Sequence, residues 1–198
     1  MRKTFLGLFI VLLASQISYA EDPIACEECW IGIFADTLAT TSVLGIQPWH
    51  EPVEAYFIAH VPSDFQALQA VFFRVENWIG DVSYPTGSVE VEWKNIVMED
   101  GNLETGKLLA CTYENQWYVN DQGNVIFGTI RITSYDPDWP GDGIELTIKE
   151  YLGEFEKPAI MNYPELDTYY VDGLSFTLFS IPPTSTRSTN FKVLKMSY

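Results

Sequence analysis

Beyond residue 20 the chain repeatedly alternates apolar and polar positions with period two, the mark of strands with one buried face. In Val53–Val61, Val53, Ala55, Phe57 and Ala59 point one way, and Glu54, Tyr56, Ile58 and His60 the other. Leu68–Glu76 sets Ala70, Phe72 and Arg74 against Val71, Phe73 and Val75. Val89–Trp93 sets Val89, Val91 and Trp93 against Glu90 and Glu92. Ile144–Tyr151 sets Ile144, Leu146 and Ile148 against Glu145, Thr147 and Lys149. Trp30–Ala35, Lys107–Tyr113, Gln116–Val119, Val125–Ser134, Thr168–Val171 and Ser175–Ile181 are further β-prone runs. The count, about nine or ten strands, exceeds one ordinary sheet of about six. The pattern therefore predicts an all-β, two-sheet antiparallel β-sandwich, immunoglobulin-like or jelly-roll-like.

Turn chemistry fits that expectation. Asp100-Gly101, Gln122-Gly123-Asn124, Gly141-Asp142-Gly143 and Asp172-Gly173 offer residues that tolerate positive φ between strand-like runs. Asn120–Asn124 predicts a hairpin between Gln116–Val119 and Val125–Ser134. Helix signal is confined to one turn over Ser63–Leu68, with Ser63 as its cap. Short loops between successive strands predict mostly antiparallel pairing.

The first twenty residues read as an address. Arg2 and Lys3 precede the apolar run Phe5–Ala14, and Ser18-Tyr19-Ala20 supplies a small-residue cleavage site, the order of a secretory signal peptide. A run that short cannot span a bilayer as a helix, which needs about 20 apolar residues, and no transmembrane segment is expected. Pro23-Ile24-Ala25-Cys26 faintly resembles a lipid-attachment box, but the proline and the intervening Glu21 and Asp22 argue against one. The expected organisation is a signal peptide over 1–20, a sandwich domain over 21–181, and a Ser/Thr/Pro-rich segment with a C-terminal edge strand over 182–198. The expected location is extracellular or periplasmic.

Charge narrows the partners. The whole chain holds 11 Lys+Arg and 27 Asp+Glu, a formal charge of -16. Loss of Arg2 and Lys3 with the leader would leave 9 basic against 27 acidic residues. Phosphate neutralisation needs clustered Lys and Arg, so nucleic acid is excluded as a partner. An acidic surface favours solubility and draws cations.

Cys26, Cys29 and Cys111 suit an oxidising compartment, but three thiols cannot all pair. The preferred pairing joins Cys26 or Cys29 to Cys111, and a Cys26–Cys29 bond is the rival. Cys26-Glu27-Glu28-Cys29 has redox spacing, yet it follows no strand of a βαβ unit, and its two glutamates oppose thiolate formation. Three cysteines with His50 or His60 lack the second paired motif of a zinc site.

The segment Gly32–Thr40, followed by the runs at 53–61 and 70–75 and later at 125–134 and 144–148, resembles a group of uncharacterised secreted bacterial proteins. The layout is similar to cohesin-like and carbohydrate-binding-module-like sandwiches. The resemblance implies a β-sandwich and carries no catalytic signature, because this architecture hosts many functions.

Candidate chemistry is sparse. Gly173-Leu174-Ser175-Phe176-Thr177 lacks the second glycine of a nucleophile elbow. No phosphate loop or paired metal-binding histidines occur. Glu90 and Glu92 share one strand face, roughly 7 Å apart by strand rise, the geometry a secreted glycoside hydrolase would need. Solvent-facing glutamates explain them equally well. Asp136, Asp138 and Asp142, in a loop with Pro140 and Gly141, form a candidate calcium site, although the spacing is not that of an EF-hand. Trp49, Trp78 and Trp139 fall in or beside loops and are the rings open to a sugar face; Trp30, Trp93 and Trp117 fall on strands and are assigned to the core. The expected function is a secreted binding or adhesion module for a glycan or a cell-surface protein, with a secreted hydrolase as the alternative.

Overall fold

The computed structural model describes residues 22–47, 50–80, 86–141 and 143–180. The expected signal peptide and C-terminal edge strand lie outside them. Within the described residues there are thirteen strands and no helix: β1 (Ile24–Phe34), β2 (Val43–Ile46), β3 (Val53–His60), β4 (Ala67–Glu76), β5 (Gly87–Trp93), β6 (Ile96–Asn102), β7 (Gly106–Cys111), β8 (Trp117–Tyr118), β9 (Asn124–Ser134), β10 (Ile144–Lys149), β11 (Ala159–Tyr163), β12 (Thr168–Gly173) and β13 (Ser175–Ser180).

One hydrogen-bonded path runs β2-β13-β10-β4-β11-β12-β1-β3-β9-β5, with β7 and β8 also on β4, and β6 on β7. The path folds over into two layers around a shared interior. Ile31, Ile33, Phe57, Phe127 and Ile130 enter from the β1-β3-β9-β5 side. Leu68, Val71, Phe73, Leu109, Ile148 and Phe176 enter from the other. This is the all-β sandwich that period-two alternation demands. Three further strands, β2, β6 and β11, raise the count above the expected nine or ten. Two pairs, β1–β12 and β13–β2, are parallel, and the rest are antiparallel.

Several local expectations are corrected. Gln116–Val119 does not form a hairpin with Val125–Ser134: β8 pairs with β4, at Ala67↔Tyr118 and Leu68↔Trp117, while β9 pairs with β3 and β5. The reason is Trp117, which is buried in the shared core and donates its indole N–H to the Lys94 carbonyl, 2.6 Å away. That placement holds β8 on the β4 layer, and the Asn120–Asn124 turn then carries the chain to the other layer. Ser63 and Asp64 form a tight turn closed by Phe65 N–H to Pro62 C=O, not a helical turn. Gly101 takes positive φ but within β6, and the β6–β7 reversal comes at Leu103–Thr105, where the Asn102 carboxamide oxygen accepts the N–H groups of Glu104 and Thr105. Gly173 closes β12 without a left-handed turn. Its value is the missing side chain: a Cβ there would stand 2.0 Å from the Ile148 carbonyl oxygen.

The outer side of the β4–β11–β12 region carries a second, smaller core. Ala70, Phe72, Ala110 and Ala159 are covered by the 150–158 connection, whose Phe155 packs 5.0 Å from Phe72 and 6.2 Å from Tyr170. Arg74 and Glu150 pin this cover at 3.0 Å, and the guanidinium hydrogen bond holds the Glu150 carboxyl below its usual range. That face is thus closed by the chain itself.

The cysteine pairing also differs from the preferred one. Cys26 is bonded to Cys29, and Cys111 is free and buried. The bond closes an irregularity in β1, where the register with β12 shifts between Ala25 and Trp30 and Glu27 and Glu28 stand exposed. The Cys111 thiol faces the Leu68 and Gln69 carbonyls at 3.3 and 3.4 Å. Burial pushes its pKa up from 9.0 to about 11. The folded state therefore favours the protonated thiol, a stabilisation complete below pH 9 and lost as pH rises from there toward 11. The full loss is roughly 2–3 kcal/mol. Native protein at pH 8 should show no reaction with a thiol-specific dye, and unreduced protein in guanidinium should label on Cys111 alone. Labelling of Cys26 or Cys29 in the unreduced chain would contradict the pairing.

Candidate functional site

Strand parity defines the most distinctive open surface. In β1, Ile31 and Ile33 enter the core, so Trp30, Gly32 and Phe34 face outward. Trp30 pairs with His60 of β3, Gly32 with Ile58, and Phe34 with Tyr56. On β9, Ile126 pairs with Ile58, Thr129 with Tyr56, and Arg131 with Glu54. Glu90 and Glu92 of β5 complete the row opposite Arg131 and Thr129.

The centre of this face is aromatic. Trp30 stacks on the His60 ring at 5.0 Å and 10°, and lies 5.2 Å from Phe34. Gly32 makes the arrangement possible, since a Cβ at that position would sit 2.7 Å from the Phe34 ring. Phe34 and Ile58 are buried beneath the patch, while Trp30, Tyr56, His60 and Ile126 remain partly exposed. Hydrogen bonds fix the histidine. Its Nδ1 lies 2.9 Å from Asn124 Oδ1, and Asn124 Nδ2 donates to the Leu38 carbonyl at 3.4 Å. With the amide so oriented, the His60 Nδ1–H is the donor. Asp36 folds the loop that supplies Leu38 by accepting the N–H groups of Leu38 and Thr40; burial raises its pKa, but hydrogen bonds from the Thr41 side chain, from Thr40 and from Leu38 outweigh it and hold the carboxyl below the usual range.

The rim of the same face is charged. Arg131 lies 3.3 Å from Glu54 and 3.9 Å from Glu90, and Tyr56 donates its hydroxyl to Glu54 at 3.2 Å. Burial, then Glu54, raises the Tyr56 pKa. All three ionic groups are well exposed, so the pairs contribute at most about 1 kcal/mol each and serve mainly to order the rim. Glu90 lies beside Arg131, and with Glu92 it stands on the outer face of β5.

The tryptophans and aspartates singled out from sequence fall elsewhere. Trp78 lines a cleft of about 320 Å³ between the layers, with Val89, Val91, Trp93 and Leu103, where Lys107 closes on Glu99 at 2.6 Å. Trp139 lies over Gly87 at the start of β5 and packs against the core. Trp49 and Asp142 lie outside the described residues. Asp136 accepts the Asp138 N–H at 2.9 Å, an Asx turn. Among the described residues no three His, Cys, Asp or Glu side chains are grouped to hold a metal ion. His50 rests on Tyr135, just before β3, whereas His60 ends that strand. Trp30, assigned to the core because it lies on a strand, is on the solvent side; the alternation Trp30-Ile31-Gly32-Ile33-Phe34 is the signal that places it there.

No family model and no curated protein matches the chain. Solved structures with a similar layout are cohesin modules. A type I cohesin of Clostridium thermocellum, solved in complex with a dockerin, is 10% identical, with a TM-score of 0.44 over 81% of this chain and 99% of that one. The cohesin module of a Clostridium perfringens family 33 glycoside hydrolase is 8% identical, with a TM-score of 0.45 over 78% and 97%. A non-cellulosomal cohesin of Archaeoglobus fulgidus is 10% identical, with a TM-score of 0.44 over 83% and 97%. The likeness is one of strand layout and says nothing of ligands.

Proposed function

We propose that this chain is an exported, non-catalytic recognition module that docks a protein partner on the outer face of β1, β3, β9 and β5. The observation that carries this reading is the Trp30–His60 stack with Phe34 beneath it, held on the solvent side of a sheet. Its anatomy is that of a protein interface: an aromatic centre depleted in charge, surrounded by a polar rim. The rings are already held in place by Gly32, Asn124 and the Asp36 loop, so little side-chain entropy remains to be lost on binding. The excess of carboxylates favours a partner with a basic surface. Export rests on the basic, apolar and small-residue parts of the first twenty residues.

Affinity capture from the envelope and culture fluid of the source organism, using immobilised residues 21–198, tests the reading. Wild type is expected to retain a discrete partner. Trp30→Ala is expected to weaken it by about thirtyfold or more, as removal of a central aromatic anchor does. Glu92→Ala, on the rim, should change affinity less than about threefold and act mainly on association rate. Equal retention by Trp30→Ala and wild type would overturn the assignment, as would no retained protein.

A further inference from the structure

A second exposed aromatic group lies on the opposite layer, where β4 begins. Tyr118 of β8 and Tyr163 of β11 both pair with Ala67 of β4, one on each side. Leu68 next to Ala67 points into the core, so this row faces outward. The small Ala67 is buried beneath it, leaving the two tyrosines two strand spacings, roughly 10 Å, apart over a shallow floor. Tyr113, from the β7–β8 connection, meets Tyr163 edge-on at 5.5 Å and 81°. Tyr113 is 71% exposed and Tyr118 68%, high values for rings with so little polar surface.

The surroundings are polar in a specific way. Gln116 is buried close to the Tyr163 hydroxyl. Asn162 organises the next turn: its Nδ2 donates to Glu165 Oε2 at 3.1 Å, and its Oδ1 accepts the Asp167 N–H at 2.8 Å. Between those residues Leu166 is exposed with φ at 64°, a left-handed conformation that a leucine adopts only under constraint.

We propose that Tyr113, Tyr118 and Tyr163 form a binding platform for a neutral polysaccharide. Sugar rings present apolar C–H faces to aromatic rings and hydroxyls to the groups around them. The spacing of Tyr118 and Tyr163 suits stacking on every second unit of one extended glycan chain. Glu114, Glu165 and Asp167 adjoin the rings in sequence and would accept sugar hydroxyls while repelling sulfated or uronic chains, in keeping with the chain's net charge of -16. This site is on the other layer from Trp30 and independent of the protein-docking reading. It also differs from Trp49, Trp78 and Trp139, the rings that sequence nominates for sugar.

Native affinity electrophoresis of residues 21–198 in gels containing xylan, laminarin, galactomannan or hydroxyethylcellulose tests the proposal. At least one polymer should retard the protein. Tyr118→Ala and Tyr113→Ala should each weaken retardation about tenfold or more, and both exposed positions tolerate truncation without loss of fold. Tyr118→Phe, which keeps the ring, should lose less than Tyr118→Ala. Trp30→Ala should bind the polymer like wild type, which separates this site from the protein-docking face. In aromatic carbon–proton spectra the matching hexasaccharide should shift tyrosine ring signals that disappear in Tyr113→Ala or Tyr118→Ala. Retardation by none of the four polymers, or retardation unchanged in Tyr118→Ala, would overturn the proposal.

Discussion

Gly173→Ala is expected to lower the thermal midpoint by roughly 6–12 °C, the equivalent of about 3 kcal/mol in a domain of this size. Gly173 ends β12 where that strand meets both β1 and the end of β10. The Ile148 N–H donates to the Leu174 carbonyl, and the Leu174 N–H donates to the Ile31 carbonyl. An added Cβ would lie 2.0 Å from the Ile148 carbonyl oxygen and 2.7 Å from its carbon. Both atoms are backbone, so no rotamer change relieves the clash. β10 or β12 must move, and with it the junction through which the two layers are joined. A scanning-calorimetry midpoint within 2 °C of wild type would show that the approach of these strands is wrongly placed.

Phe57→Ala is expected to cost about 3–5 kcal/mol, the range for deleting a fully buried phenylalanine. The ring sits at the centre of the interior, 4.9 Å from Trp93, 5.5 Å from Phe73, 5.8 Å from Phe127 and 6.4 Å from Trp78. These neighbours come from both layers, so no single strand can collapse into the space left behind. Phe57→Leu, which keeps much of the volume, should lose clearly less. Equilibrium denaturation in urea gives both values. If Phe57→Ala cost under about 1 kcal/mol, the two layers would not share the interior described here.

The fold was largely written in side-chain parity. Ile144–Lys149 alternates cleanly because one face of the strand meets the core and the other is more open, whereas in Val53–His60 the outer face also buries Ile58. β2 is hard to read because it is short, β6 because it carries Glu99, Asp100 and Gly101, and β11 because it is short and buried on both sides near Ala159 and Ile160, so it does not alternate in the usual way. Pairing was less legible than strand existence. Parity says which side of a strand is dry, but not which neighbour it meets, and the burial of Trp117 decided against the hairpin that Asn120–Asn124 favours. Asp172-Gly173 was misread for a related reason: glycine serves a turn or a close approach, and only the position of Ile148 tells which.

The candidate site was partly legible. Trp30 sits on a strand next to core isoleucines, and its partner His60 lies thirty residues away; their stacking follows from the Trp30↔His60 register, which sequence does not print. The tyrosine shelf has the same origin, since Tyr118 and Tyr163 become neighbours only through Ala67. The cysteine pairing turned on geometry as well: Cys111 is buried in β7 with its thiol toward the Leu68 and Gln69 carbonyls, while Cys26 and Cys29 stand 5.3 Å apart at Cα.

The most direct test of the docking face is hydrogen–deuterium exchange of the chain with and without its captured protein partner, read by peptide. The expected result is slowed exchange confined to peptides covering residues 30–34, 54–60 and 126–131, with those around Tyr113, Tyr118 and Tyr163 unchanged. Slowed exchange that spares the Trp30 and His60 peptides would contradict the assignment of that face.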